Sequence, residues 1–154
     1  MDRLRREAQA RHELHVDHPT HRPLSEGYEL VGLRGEEALA NYFGLEIDLV
    51  RRPGGDGGVD NKLCLSGFEY KVDVKCARKA LNLIVEVGKV EPKTIYILAS
   101  YSDEDDAAVL LGWQWGVVLM NAPKKDFGYG VINHYVPRSK LRGLDDLAER
   151  HTPK

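Results

Sequence analysis

Hydrophobic and polar positions alternate most regularly between residues 68 and 76. Successive side chains of a β-strand point to opposite faces of a sheet, so residues two apart share a face. One face of this predicted strand carries Phe68, Tyr70, Val72, Val74 and Cys76, and the other carries Glu69, Lys71, Asp73 and Lys75. We therefore predict that the apolar side chains pack on a core while Asp73 and Lys75 project side by side from the other face.

The apolar pattern before this strand predicts one helix and one further strand. Helical spacing predicts a helix that begins at about Ser25 or Gly32 and ends at Phe43, with Gly44 as its C-terminal stop. Residues 45–50 alternate in hydrophobicity and are predicted to form a strand.

Two glycine-containing segments flank the next predicted strand. Residues 52–58 form a glycine-rich loop, a composition that disfavours regular structure and lets the backbone approach a ligand closely. Ser66 and Gly67 form the turn of a predicted hairpin that leads into the strand over 68–76.

The remainder of the chain is predicted to be mainly β-structure. Strands are expected over 83–87, 94–99 and 133–136, and residues 109–119 form either a hairpin or one strand with a bulge. A short last helix is expected around Leu141, Leu144 and Leu147. A helix, a run of strands and a final helix indicate an α/β or α+β domain with a mixed sheet.

Composition indicates one soluble globular domain. The chain has 154 residues, of which 42% are hydrophobic and 30% charged. No apolar run is long enough to cross a bilayer, and the start is too charged for a secretory signal. We expect no membrane partner and a location in the cytoplasm, or in the host cytoplasm for a viral protein.

The first 24 residues are polar and contain four histidines at three-residue spacing, His12, His15, His18 and His21. Such a tract can bind metal on a helix, but Pro19 and Pro23 interrupt any helix there. We therefore favour a mobile arm over residues 1–24, followed by a single domain over 25–154.

The cysteines and the net charge exclude few classes of function. Cys64 and Cys76 have no His or Cys at metal-binding spacing, so we interpret both as small buried hydrophobic residues. The net charge of −2 does not by itself indicate a nucleic-acid-binding protein. A protein that contacts phosphates needs only a local basic face, which this net charge does not exclude.

Three carboxylates and a lysine occur in an order that suits phosphodiester hydrolysis. Glu36 lies on the predicted helix, Asp60 follows the glycine-rich loop, and Asp73 and Lys75 share a strand face. Carboxylate oxygens can hold Mg²⁺ against a phosphate, where the ion activates water and neutralises the leaving oxygen. A nearby lysine can orient the attacking water.

These residues also resemble a known family. Gly57-Gly58-Val59-Asp60 followed by Val72-Asp73-Val74-Lys75 resembles the signature of the PD-(D/E)xK, or restriction-endonuclease-like, nucleases. Val59 stands where that signature has proline, and Asp73 fills its second acidic position. The segment 35–40 is similar to the first helix of that fold, and the resemblance covers about residues 30–100. Holliday-junction resolvases and restriction-like enzymes of phage and prokaryotes are the nearest group.

The resemblance implies a mixed central sheet flanked by helices and a DNA substrate. It implies that Asp60, Asp73 and the carbonyl of Val74 bind Mg²⁺ or Mn²⁺, that Lys75 positions the water, and that Glu36 is an inner or outer ligand. Whether the chain forms a homodimer is left open. The alternatives are a catalytically inactive nuclease-like module that binds DNA or protein, and a different metal hydrolase.

Several other residues are less favoured as members of the predicted site. Glu36 is favoured over Glu37 because it lies three, four and seven residues before Leu39, Ala40 and Phe43, which set the buried side. Asp56 is expected to stabilise its turn. Lys71 could contact phosphate, but a surface position is favoured. Core packing is favoured over base stacking for Trp113 and Trp115.

Overall fold

The computed structural model describes residues 27–45, 61–128 and 130–151, and only the backbone of Tyr28. Within these ranges the elements are α1 (Tyr28–Phe43), β1 (Asn61–Leu65), β2 (Phe68–Ala77), β3 (Asn82–Glu86), β4 (Ile95–Ser102), β5 (Ala107–Trp115), α2 (Gly116–Leu119), β6 (Lys124–Asp126), β7 (Ile132–Pro137), a 3-10 helix (Arg138–Lys140) and α3 (Leu144–Arg150). The predicted N-terminal arm, the predicted glycine-rich loop and nearly all of the predicted strand over 45–50 lie outside the described residues.

The end of α1 is set by Gly44. Gly44 adopts the left-handed conformation, with φ of 68°, and its backbone N–H donates to the carbonyl of Ala40. A side chain is disfavoured at such a φ, whereas glycine adopts it freely and so ends a helix. The predicted end of this helix is confirmed, and its beginning lies at Tyr28, between the two proposed starts.

The central sheet has four strands in the order β1-β2-β4-β5. β2 pairs in parallel with β4, whereas the β1–β2 and β4–β5 pairs are antiparallel. The predicted mixed sheet is therefore confirmed. The predicted hairpin is confirmed too: Ser66 and Gly67 both have positive φ, 52° and 85°, which matches the twist of a two-residue hairpin turn.

Two helices, α1 and α3, cover one face of the central sheet. Leu39 and Phe43 of α1 and Leu144 and Leu147 of α3 pack in one core with side chains of all four strands, among them Leu63, Val72, Ile97 and Trp113. We call this face the helix-covered face. Burial of these apolar side chains is the main force that holds the helices on the sheet.

A second sheet covers part of the opposite face. It has three antiparallel strands in the order β3-β7-β6. Its Leu83, Val85 and Val136 pack against Tyr96 and Leu98 of β4. The α+β class is confirmed, and the restriction-endonuclease-like arrangement stays a prediction. The alternating strands β3 and β7, together with Leu119 of α2, supply the apolar side chains that cover this face.

The chain between residues 107 and 119 is one bulged strand followed by a helix. Leu98 of β4 is opposite Gly112 of β5 and Ala99 is opposite Leu110, so Leu111 is the extra residue. The bulged-strand alternative is confirmed and the hairpin alternative is wrong. Trp113 is fully buried, as predicted, and Trp115 is half-buried beside it, with ring centroids 5.3 Å apart.

Two smaller expectations concern the cysteines and membrane spans. Cys64 and Cys76 are both free thiols, but each is only partly buried. Among the helices of the described chain, none has the length and apolarity needed to span a bilayer.

Candidate functional site

Asp73 and Lys75 lie side by side on β2. The Nζ atom of Lys75 is 3.2 Å from the Oδ2 atom of Asp73, and their side chains are 41% and 37% exposed. Both project from the face opposite α1 and α3, because Val72 and Val74 on the other parity pack in the helix-covered core. The predicted adjacency of these two side chains is confirmed.

The position of the second sheet explains why this pair remains accessible. Asp73 is opposite Tyr96 in the parallel ladder, and Lys75 is opposite Leu98. Tyr96 and Leu98 are buried beneath β3 and β7, whereas the same face of β1 and β2 carries mostly charged side chains. Asp73 and Lys75 therefore lie at the boundary between a covered and an open part of one sheet face.

Tyr96 supplies a neutral hydroxyl beside Asp73. Its hydroxyl oxygen accepts a hydrogen bond of 2.9 Å from the backbone N–H of Glu91. Burial raises the pKa of the Tyr96 phenol, and the Asp73 and Glu91 carboxylates raise it further, while the backbone hydrogen bond opposes them. The phenol therefore stays protonated at neutral pH and can still donate its own hydrogen.

Glu91 is a charged neighbour of the site that sequence reasoning missed. Its carboxylate accepts hydrogen bonds from Lys71 Nζ at 3.3 Å and from Thr94 Oγ1 at 3.2 Å. Gly116 packs closely against the backbone of Glu91, so that a Cβ atom at position 116 would overlap the Glu91 carbonyl. Glu91 lies in a turn with no periodic pattern, so its approach to Lys71, twenty residues earlier, has no local sequence signal.

Two further lysines lie on the same open face. Lys62 of β1 is directly opposite Lys71 of β2 in the antiparallel ladder. Lys62 is ion-paired with Glu69 at 3.2 Å, and Lys71 with Glu91 at 3.3 Å. The open face therefore carries three ammonium groups around Asp73, each paired with a carboxylate.

The structure does not bring Glu36 beside Asp73. A Cβ atom on Gly35 would come within 2.7 Å of the Cβ of Cys76 and 3.3 Å of Val74 Cγ1, so α1 packs on the helix-covered face. The Oε2 atom of Glu36 is buried, and Glu37 accepts a bond of 3.3 Å from Arg34. The sheet separates α1 from Asp73, so a role for Glu36 at the metal stays a prediction to which this placement adds no support.

Asp60 and the neighbouring Asp56 lie outside the described residues. Asn61, the residue after Asp60, is opposite Val72, the residue before Asp73. The side chain of Val74 belongs to the helix-covered core, which is compatible with a role for its carbonyl alone.

The donor set within the described residues is too small to hold a metal ion alone. No cluster of three His, Cys, Asp or Glu side chains with metal-binding geometry occurs in the described ranges. To hold a metal ion, Asp73 would need at least one further oxygen donor, and Asp60 is the residue that the sequence predicts for that position.

Comparisons with protein-family models, with curated proteins and with solved structures find no match for this chain.

Proposed function

We propose that this protein is a Mg²⁺- or Mn²⁺-dependent DNA endonuclease centred on Asp60, Asp73 and Lys75, with a distant relation to the PD-(D/E)xK nucleases. The observation that carries the proposal is the adjacency of the Asp73 carboxylate and the Lys75 ammonium, 3.2 Å apart on an accessible strand face. The pair lies at the boundary with the second sheet, where Asp73 is opposite the buried Tyr96.

The chemistry divides between the two side chains. A bound divalent ion would supply an activated water and neutralise charge on the leaving oxygen. Asp73 would hold that ion through its carboxylate oxygens. Lys75, whose ammonium lies within hydrogen-bonding reach of Asp73, would orient the attacking water and offset the charge of the phosphate.

The course of β1 supports Asp60 as the second ligand. Consecutive Cα atoms are about 3.8 Å apart, and the chain enters β1 at Asn61, opposite Val72. Asp60 directly precedes Asn61 in the sequence, which makes it the favoured second ligand. The expected location in the cytoplasm, or in a host cytoplasm, belongs to the same proposal.

A cleavage assay tests this function. The substrates are branched, nicked and linear DNAs, each incubated with Mg²⁺, Mn²⁺, Ca²⁺ or EDTA. We expect wild-type cleavage with Mg²⁺ or Mn²⁺, little with Ca²⁺, and none with EDTA. Asp73→Asn should abolish cleavage yet leave DNA binding intact or tighter, since a charge that repels phosphate is removed.

Two comparisons complete the assay. Lys75→Ala should lower kcat more than it weakens binding, because the lysine acts mainly in the transition state. Asp103→Asn is the matched control, since Asp103 is an exposed acid of the β4–β5 turn, paired with Arg78 beyond the end of β2. Wild-type cleavage by Asp73→Asn would refute the site, and a wild-type protein that binds but never cuts would be a DNA-binding module.

A further inference from the structure

Lys62 and Lys71 form a like-charged cross-strand pair on the open face. Directly opposed residues of an antiparallel pair have Cβ atoms about 4.5–5.5 Å apart, and like charges at that position are destabilising. Both belong to the parity that carries Asp73 and Lys75, because Leu63 and Val72 on the other parity are core residues. The Glu69 and Glu91 carboxylates offset these two charges in the free protein, and an anion that bridges the two ammonium groups can do the same.

Lys71 of this lysine pair lies two residues before Asp73 on the same face of β2. Residues two apart on a strand are about 6.6 Å apart, so Lys71, Asp73 and Lys75 form an evenly spaced row. This step is of the same order as the separation of consecutive phosphates on a DNA strand. That separation exceeds the axial rise of about 3.4 Å per nucleotide because the strand also winds around the helix axis.

We propose that Lys62 and Lys71 together bind the DNA phosphate next to the one held at Asp73 and Lys75. This inference rests on the proposed nuclease function, and it sets the direction in which the DNA strand crosses the protein. The strand runs along β2 from Lys75 toward Lys71, over the open part of the sheet and beside the second sheet.

The present partners of the two lysines are easily displaced. The Lys62 and Glu69 side chains are 55% and 40% exposed, and those of Lys71 and Glu91 are 42% and 58% exposed. Exposed ion pairs of this kind contribute little to stability, so a phosphate can replace the carboxylates at small cost. Because the whole chain has a net charge of −2, DNA binding must depend on such a local arrangement rather than on bulk charge.

The inference is tested by DNA binding in EDTA, where no cleavage occurs. Anisotropy titrations of a labelled DNA duplex and of its single strand, repeated at several salt concentrations, compare wild type with Lys62→Ala, Lys71→Ala and the double variant. Each single variant should weaken binding about five- to tenfold and reduce the salt slope by about one. The double variant should lose less than the product of the single effects, because both lysines contact one phosphate.

Two matched variants sharpen the test. Lys89→Ala removes another exposed lysine, paired with Glu86 at 2.6 Å beyond the end of β3, and should leave binding and slope unchanged. Glu91→Gln should tighten binding, since it removes a competitor for Lys71 and a charge that repels phosphate. The thermal midpoint of each variant shows that these exposed substitutions leave the fold intact.

The outcomes separate this inference from the proposed function. If Asp73-dependent cleavage occurs but the double variant binds with wild-type affinity and salt slope, the lysine pair is refuted and the nuclease stands. If no cleavage occurs but the lysines control binding, the phosphate contact stands and the nuclease does not. An active enzyme allows one more check. A neutral methylphosphonate next to the scissile phosphate should abolish the difference between wild type and the double variant, and one placed several nucleotides away should not.

Discussion

Gly35 of α1 and Cys76 of β2 are in direct contact, so that a Cβ atom on Gly35 would come within 2.7 Å of the Cβ of Cys76. This contact sets the distance between the helix and the sheet. It also fixes which face of β2 the helix covers, and thereby leaves the Asp73 and Lys75 face open.

Two glycines of α1 should respond to alanine in opposite ways. Gly35→Ala should lower the free energy of unfolding by about 1–3 kcal/mol, because the new methyl group collides with a Cβ atom that cannot rotate away. Gly32→Ala should raise it by about 0.5–1 kcal/mol, since nothing lies within 4 Å of a Cβ there and alanine favours the helix. Urea unfolding of both variants measures the difference, and equal effects would contradict the close packing at Gly35.

Cys76 should make the protein less stable in alkali. Burial raises the pKa of its thiol to about 12, above the ordinary value of about 8.5. As pH rises through about 8.5, the unfolded chain loses this proton while the folded protein keeps it. Below about pH 8.5 the neutral thiol therefore makes its full contribution to the free energy of unfolding. This contribution declines as the pH rises toward 12.

Urea midpoints at about pH 8 and about pH 10.5 measure this decline, which should be smaller in Cys76→Ala. Alkylation provides an independent check. In Cys64→Ala, where Cys76 is the remaining thiol, iodoacetamide at about pH 8 should react slowly with the folded protein and rapidly in urea, since the thiolate is the nucleophile. Fast reaction of the folded protein would show that the thiol is not shielded.

The ion pair between Arg34 and Asp106 should be important for stability. Arg34 is only 8% exposed in its side chain, and it donates to Asp106 at 2.8 Å and 3.2 Å, while Tyr101 donates to the same carboxylate at 2.7 Å. Asp106→Asn should lower the free energy of unfolding by about 2–3 kcal/mol, because a buried guanidinium loses the carboxylate partner at 2.8 Å and keeps the more distant Glu37 at 3.3 Å. Asparagine tolerates the positive φ of 47° at this position, so backbone strain does not confuse the result.

Asp103→Asn is the control for that variant. Asp103 belongs to the same turn and pairs with Arg78 at 2.7 Å, but its side chain is largely exposed. No measurable loss of stability is expected there. Thermal unfolding of the two variants tests the contrast, which fails if both lose stability equally.

Removal of the Glu36 side chain should mainly change stability, whereas removal of the Asp73 carboxylate should mainly change cleavage. The Glu36 Oε2 atom is buried, and its helix packs on the side of the sheet away from Asp73. Glu36→Ala should therefore lower the thermal midpoint more than the cleavage rate of the folded protein, whereas Asp73→Asn should do the reverse. Loss of cleavage in Glu36→Ala with a normal midpoint would support Glu36 as a metal ligand, as the sequence resemblance implies. Glu37→Ala, with Glu37 beside Arg34, is the neighbouring comparison.

Local features of the chain are determined by the sequence. The end of α1 at Gly44 and the turn at Ser66 and Gly67 follow from backbone conformations that depend on one or two residues. The adjacency of Asp73 and Lys75 follows from the two-residue period of a strand, whatever that strand packs against. A pair of candidate site residues could therefore be identified without knowledge of the fold.

Only the tertiary structure decided how the layers are arranged. Both α1 and the strands β3 and β7 have an apolar side that could cover either face of the central sheet, and contacts between distant residues such as Gly35 and Cys76 fix the choice. The same holds for the pairing of Lys62 with Lys71 and for the approach of Glu91, which depend on strand register and on a turn held by Gly116. Hydrophobic periodicity states that a face is buried, but not which partner buries it, because burial is favourable against any apolar surface of matching shape.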